Sequence, residues 1–179
     1  QFLSEAGGLA KTWNMDVAET AAIGSLLETV NIKASEGETM FRSALNAGIF
    51  QKRSLTDDQA KAFRKAGVRP SGEMGYDIAG ALMDVSGKDY QAMLNENMAD
   101  TMLATVDAIL EKAGGDSALA QQMAEAAFGS YGMGFLKLGG QRENLAEMTT
   151  EAESGFGAGK SMEEEYKRQT DNLIDNFES

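Results

Sequence analysis

Apolar positions along this chain recur every three to four residues, the spacing that gathers them on one face of a helix. No run of Val, Ile, Thr and Tyr alternates with the two-residue period of a strand. A first helical stretch covers roughly residues 2–12, weakened at Gly7-Gly8. A second begins at Asp16, where Asp16 and Glu19 have the form of a capping box. It carries Val17, Ala21, Ile23, Leu26, Leu27 and Val30 as apolar positions and ends near Asn31. Ser35 and Glu38 make a similar pair ahead of a helix that puts Met40, Phe41, Ala44 and Leu45 on one face, with Gly48 ending or kinking it. Thr56 and Gln59 form a third capping box, and Asp57 and Asp58 sit at the positive end of the helix dipole. That helix runs to Ala66 and stops at Gly67, a residue type suited to a helix C-terminus.

The clearest loop is Arg69-Pro70-Ser71-Gly72, because proline lacks a donor and glycine frees the turn. A short helix around Asp77 to Val85 follows, then a break at Ser86-Gly87. The longest predicted helix spans Asp89 to Ala113. Met93, Asn97, Leu103, Val106, Ile109 and Leu110 lie mostly on one side of it, and Gly114-Gly115 closes it. Asp116 or Ser117 caps the next helix, which continues through Phe128-Gly129. A glycine-broken segment with Phe135, Leu136 and Leu138 ends at Gly139-Gly140. A helix from about Glu143 to Glu153, a glycine-rich turn from Ser154 to Gly159, and a last helix capped by Ser161 and Glu164 complete the chain. These elements predict an all-α fold: a single multi-helix globular domain over residues 1–179, of about seven to nine helices with Gly-rich connections and no sheet. Residues 141–179 form an acidic C-terminal helical portion of it.

Composition narrows the chemistry. The 179 residues include no His and no Cys, which excludes a Ser-His-Asp or Cys-His triad, a Cys/His zinc site and a disulfide framework built from this chain alone. A hydrophobic content of 42% suits a packed core. Lys and Arg total 16 against 28 Asp and Glu, a net charge of −12, which argues against a surface that displaces counterions from nucleic-acid phosphates. Half of that charge falls after Gln141, where ten acids face four bases. The longest uncharged stretch, Ala126 to Leu136, is interrupted by three glycines and is far short of the ~20 apolar residues of a spanning helix. No basic and then apolar leader opens the chain, and the absence of an initiator Met at Gln1 reads as a piece of a longer protein.

Four features invite a functional reading. The end of Ser154-Gly155-Phe156-Gly157-Ala158-Gly159-Lys160-Ser161 matches the tail of a phosphate-binding P-loop, in which backbone amides and a lysine cradle phosphates at a helix N-terminus. However, Ser154 stands where the first glycine belongs and no strand precedes it, so a turn into a capped helix is the favoured reading. Carboxylate clusters at Asp57-Asp58, Glu163-Glu164-Glu165 and Asp171/Asp175 read as solvated faces, lacking the burial that general acid–base work requires. A basic patch of Lys52, Arg53, Lys61, Arg64, Lys65 and Arg69, offset locally only by Asp57 and Asp58, is the candidate contact surface. It suits DNA or an acidic partner, or else reads as a solvated face that pairs with the acidic C-terminal region. The 11 methionines fill a core or line an adaptable binding face.

The order of these elements resembles the core region of the tail tape measure protein of long-tailed bacteriophages and prophages. The resemblance begins at Ala21-Ala22-Ile23-Gly24-Ser25-Leu26-Leu27, passes the link Val30-Asn31-Ile32-Lys33, and continues through Ser35 to Leu45. There Thr39, Arg42 and Leu45 fit the family string, while Gly37-Glu38 departs from its Ala-Gly pair. Ala62 to Val68 is similar to the family's helix-then-Gly-Ile/Val step. The Gly72 to Gly75 turn and the start at Asp77-Ile78 sit where the family has them, with Ser71 nearest to its usual loop Asp. Ala127-Phe128-Gly129 and Ser154-Gly155 followed by Met162 resemble later segments. The resemblance implies a structural, non-enzymatic role without a cofactor: a part of tail assembly and tail-length determination. It implies contacts with tail-tube, tail-tip and tail-assembly chaperone proteins, self-association, and no specific nucleic acid. It places the protein in the virion tail, and in the bacterial host cytoplasm during assembly. Two other readings stand beside it, a generic helical protein-binding module and a nucleotide hydrolase using Gly159, Lys160 and Ser161.

Overall fold

The structure is a computed structural model that describes residues 15–46, 54–70 and 75–157. Its described residues are all-helical, with no strand among them. In chain order they form α1 (Val17–Thr29), α2 (Ala34–Asn46), α3 (Asp57–Lys65), α4 (Ile78–Met83), α5 (Gly87–Glu96) and α6 (Met98–Ala113). After these come α7 (Ser117–Phe128), a 3-10 turn (Gly129–Tyr131), α8 (Gly132–Leu136) and α9 (Arg142–Gly157). The helices expected over residues 2–12 and after Ser161, and the helix end at Gly48, lie outside the described residues. Contacts group the chain into two compact units, Gln1–Glu38 with Gln141–Ser179, and Thr39–Gly140.

In the first unit α1 packs against α9. Asp16 caps α1 by accepting the Glu19 backbone N–H at 2.8 Å. The buried stripe runs through Val17, Ala18, Ala22, Ile23, Leu26 and Leu27, so the expected face is the core face except at Ala21 and Val30, which are half-buried. At the other end Asn31 takes φ 62°, a conformation Asn tolerates better than most residues. The Ile32 N–H then reaches the Leu27 carbonyl at 2.8 Å. The expected cap at Ser35 is displaced: α2 starts at Ala34, and the Gly37 N–H bonds the Lys33 carbonyl at 2.8 Å. Gly37 sits so close to Leu27 that a Cβ there would lie 2.4 Å from the Leu27 Cδ1.

The second unit is built around α6. Every residue from Thr101 to Val106 is buried, so α6 needs partners on all sides, and α4, α5, α7 and α8 supply them. The expected single helix from Asp89 to Ala113 is in fact two. Asn97 is extended (φ −151°, ψ 92°), and its side chain accepts the Asp100 N–H at 3.1 Å, capping α6. An Asn side chain competes with the helix for backbone donors, which is why the break falls there. The Met93 carbonyl freed at the end of α5 accepts both the Asn97 N–H at 2.9 Å and the Thr101 hydroxyl at 3.0 Å. Leu110, expected on the core face, is exposed at 37% and lies over Gly139.

Two further contacts fix the unit. The Thr105 hydroxyl donates to the Thr101 carbonyl at 2.8 Å, so the buried Tyr90 hydroxyl, 2.8 Å away, donates to Thr105. Burial pushes the Tyr90 hydroxyl well above the usual tyrosine range and keeps it a donor. Phe135 of α8 stacks on Phe128 at 4.2 Å and meets Phe41 at 5.4 Å with the rings tilted. α8 reaches this cluster because Gly132 lets it approach the α7 backbone. A Cβ on Gly132 would stand 2.6 Å from the Ala124 carbonyl carbon and the Glu125 nitrogen.

The glycines therefore separate by test. Gly132→Ala should destabilise by about 1–3 kcal/mol, because backbone rather than a flexible side chain must yield. Gly155→Ala should stabilise by about 0.5–1 kcal/mol, since Gly155 is helical with nothing within 4 Å of an added Cβ. Urea unfolding of the two variants measures both shifts.

Candidate functional site

The described part of the basic patch read from the sequence divides between two faces. Lys52 and Arg53 lie outside the described residues. The other four stand on α3 and the turn after it. That helix is positioned by a complete capping box in which the Gln59 N–H donates to Thr56 Oγ1 at 3.2 Å and the Thr56 N–H to Gln59 Oε1 at 3.0 Å. It ends where Gly67 takes φ +78°, as its glycine predicts.

Lys61 and Lys65, one turn apart, face the start of α7. They border a shallow cleft of about 220 Å3 together with Asp58, Asp116, Leu119 and Gln122. Lys65 Nζ lies 3.3 Å from Asp116 Oδ2. Asp116 also caps α7, accepting the Leu119 N–H at 3.1 Å. That backbone N–H, and then Lys65, hold the Asp116 carboxyl below the usual carboxylate range. This half of the patch is an exposed structural pairing.

Arg64 and Arg69 face another way. With Leu55, Ala60, Pro70 and Tyr76 they line a second cleft of about 370 Å3. Among the described residues neither guanidinium has a carboxylate partner. Arg69 also borders a larger cleft of about 850 Å3 beside α4 and α5. There, among the described residues, three carboxylates, Asp77, Asp84 and Asp89, outnumber Arg69 and Lys112: Lys112 Nζ lies 3.5 Å from Asp84 Oδ2, and Asp77 accepts the Gly80 N–H at 3.0 Å. A Cβ on Gly80 would stand 2.3 Å from Asp77 Oδ2, so glycine there makes room for the cap.

The glycine-rich string resolves differently from its expectation. Ser154 to Gly157 are the last residues of α9, not a turn. Their N–H groups follow a helix and bond carbonyls one turn back rather than a phosphate. Gly159, Lys160 and Ser161, and the acids from Glu163 to Asp175, lie outside the described residues. Asp57 and Asp58 are exposed first-turn residues of α3. Among the described residues no cluster of three or more His, Cys, Asp or Glu is arranged to hold a metal ion, and no helix is long and apolar enough to cross a membrane. Of the methionines, Met15, Met40, Met98, Met102 and Met123 are buried core, while Met133 is exposed.

Two groups escaped the sequence reading. Tyr76 gave no periodic signal, although an aromatic residue just past a Pro/Gly loop is a hint in hindsight. Glu19 reads only as a capping partner, yet its Oε2 is buried with no hydrogen-bond partner among the described residues. Burial first, then the neighbouring Asp16 and Glu153 carboxylates, raise its pKa from 4.5 to about 7, against the opposing Asp16 backbone N–H.

Compared with protein-family models, with curated proteins and with solved structures, the chain matches none of them.

Glu19 yields a pH prediction. Its folded pKa is raised, so the native state holds the extra proton. The stability this contributes is fully present below about pH 4.5 and is lost as pH rises through about 7. Solvent reaching the half-exposed side chain screens the effect to about 1 kcal/mol. Glu19→Gln should remove this loss. Thermal unfolding of both proteins between pH 4 and about pH 8 should show the variant gaining on the wild type as pH rises.

Proposed function

We propose that this chain is a structural module of a bacteriophage or prophage tail tape measure protein, taking part in tail assembly and tail-length determination through protein–protein contacts. The observation that carries the reading is the ordered set of motifs from Ala21 to Met162 that resembles the core region of that family. The all-helical build supports it. So does the way small residues bring helices close, with Gly132 against α7 and Gly37 against Leu27. The partners are tail-tube, tail-tip and tail-assembly chaperone proteins and further copies of the chain. The setting is the virion tail, and the host cytoplasm during assembly.

A nucleotide hydrolase is the weaker reading, because α9 occupies Ser154 to Gly157, where a phosphate cradle would have to be an open loop. A generic helical binding module is favoured by one observation, the two arginines beside Tyr76 that have no carboxylate partner among the described residues.

Deleting the segment from the parent phage or prophage should leave tails absent, shortened or unstable in electron micrographs. Tails of normal length and infectivity would refute the reading. Calorimetric titration with ATP and magnesium should show no binding, whereas tight binding abolished by Lys160→Ala would establish the hydrolase instead.

A further inference from the structure

Tyr76, Leu110 and Met133 are the large apolar side chains left exposed among the described residues. Leu110 rests over Gly139, but Tyr76 stands in a cleft with Arg64 and Arg69. The other described lining residues are Leu55, Ala60 and Pro70, so among the described residues the walls are apolar and carry no carboxylate. In a chain of net charge −12 this local sign is the exception. The lysines on the neighbouring face show the contrast, since Lys65 is already paired with Asp116.

Each component points to one kind of ligand. A guanidinium presents a planar fork of donors that matches a carboxylate with two parallel hydrogen bonds. Tyrosine and arginine together are the side chains that most often anchor protein interfaces. An apolar wall beside two cations suits a segment with acids next to an apolar side chain. A nucleic acid fits less well, because two arginines neutralise few phosphates and the rest of the chain repels a polyanion.

We propose that the cleft of Leu55, Ala60, Arg64, Arg69, Pro70 and Tyr76 is a docking groove for an acidic peptide segment of a partner protein. The two guanidiniums take carboxylates, and the wall of Leu55, Pro70 and Tyr76 takes a neighbouring apolar side chain. The groove rests on its own geometry and does not depend on the tail reading.

The test is selection from a random peptide display library on the 179-residue protein, followed by affinity measurement of the enriched peptides. Enriched peptides should carry two or more acids beside Leu, Ile, Phe or Trp, and their binding should weaken as salt is added. Binding should fall at least about ten-fold in Arg64→Glu/Arg69→Glu and in Tyr76→Ala, and hold within about two-fold in Lys61→Gln. All variants should keep the wild-type helical circular dichroism. If the double charge reversal loses it, Arg64→Gln/Arg69→Gln replaces that variant. Failure to enrich acidic peptides, binding retained by the double variant, or an equal loss in Lys61→Gln would overturn the proposal. So would a labelled oligonucleotide that binds the wild type and not the double variant.

Discussion

The second unit depends on one constraint: the middle of α6, Thr101 to Val106, is buried around its whole circumference and cannot be left with a solvent face. A helix that buries Thr101 to Val106 without interruption must be enclosed, and α4, α5, α7 and α8 are arranged to do so. The two threonines in that run would each leave a hydroxyl without water. Thr101 instead bonds the Met93 carbonyl across the break at Asn97, and Thr105 bonds the turn below while accepting from Tyr90. The polar groups inside the core thus tie α5 to α6. An unsatisfied hydroxyl there would cost about 1–3 kcal/mol.

Glycine solves the enclosure problem on the far side. α8 is too short to hold its place by its own hydrogen bonds, and it is fixed by Phe135 lying between Phe128 and Phe41. That depth is reached only because Gly132 carries no Cβ against the α7 backbone. The candidate groove has the opposite character. It lies on the outer side of α3, where the capping box and Gly67 fix the helix ends and leave its polar face to solvent.

Local signals were the most legible in the sequence. The capping box at Thr56 and Gln59, the cap at Asp77, the stop at Gly67 and the closing pair Gly114-Gly115 all lie where their residue types put them. Errors arose where two local signals compete. Asn97 sits at a helical spacing from its apolar neighbours, and its capping side chain overrides that periodicity. Ser154 and Gly155 read as a turn, yet a helical glycine costs only about 1 kcal/mol relative to alanine and does not stop a helix by itself. The site was legible only in part. Arg64 and Lys65 are neighbours in sequence but point about 100° apart around the helix axis, so one charge run serves two faces. That Tyr76 joins Arg64 and Arg69 is a property of the folded chain, which no spacing rule contains.

The pairing of Met40 and Phe41 with α8 bears on the order of assembly. Phe41 meets Phe135, and a Cβ on Gly134 would lie 3.0 Å from the Met40 Sδ, so the beginning and end of the second unit are drawn together. The other unit is discontinuous: α1 precedes this insert and α9 follows it. In an unfolded chain, joining α1 to α9 would mean closing a loop of about a hundred residues before any contact rewards it. Once the insert has folded, the contacts of Met40 and Phe41 with Gly134 and Phe135 shorten that loop several-fold. As the chain leaves the ribosome, the residues of the insert emerge before those of α9, so vectorial synthesis favours folding from the middle outward.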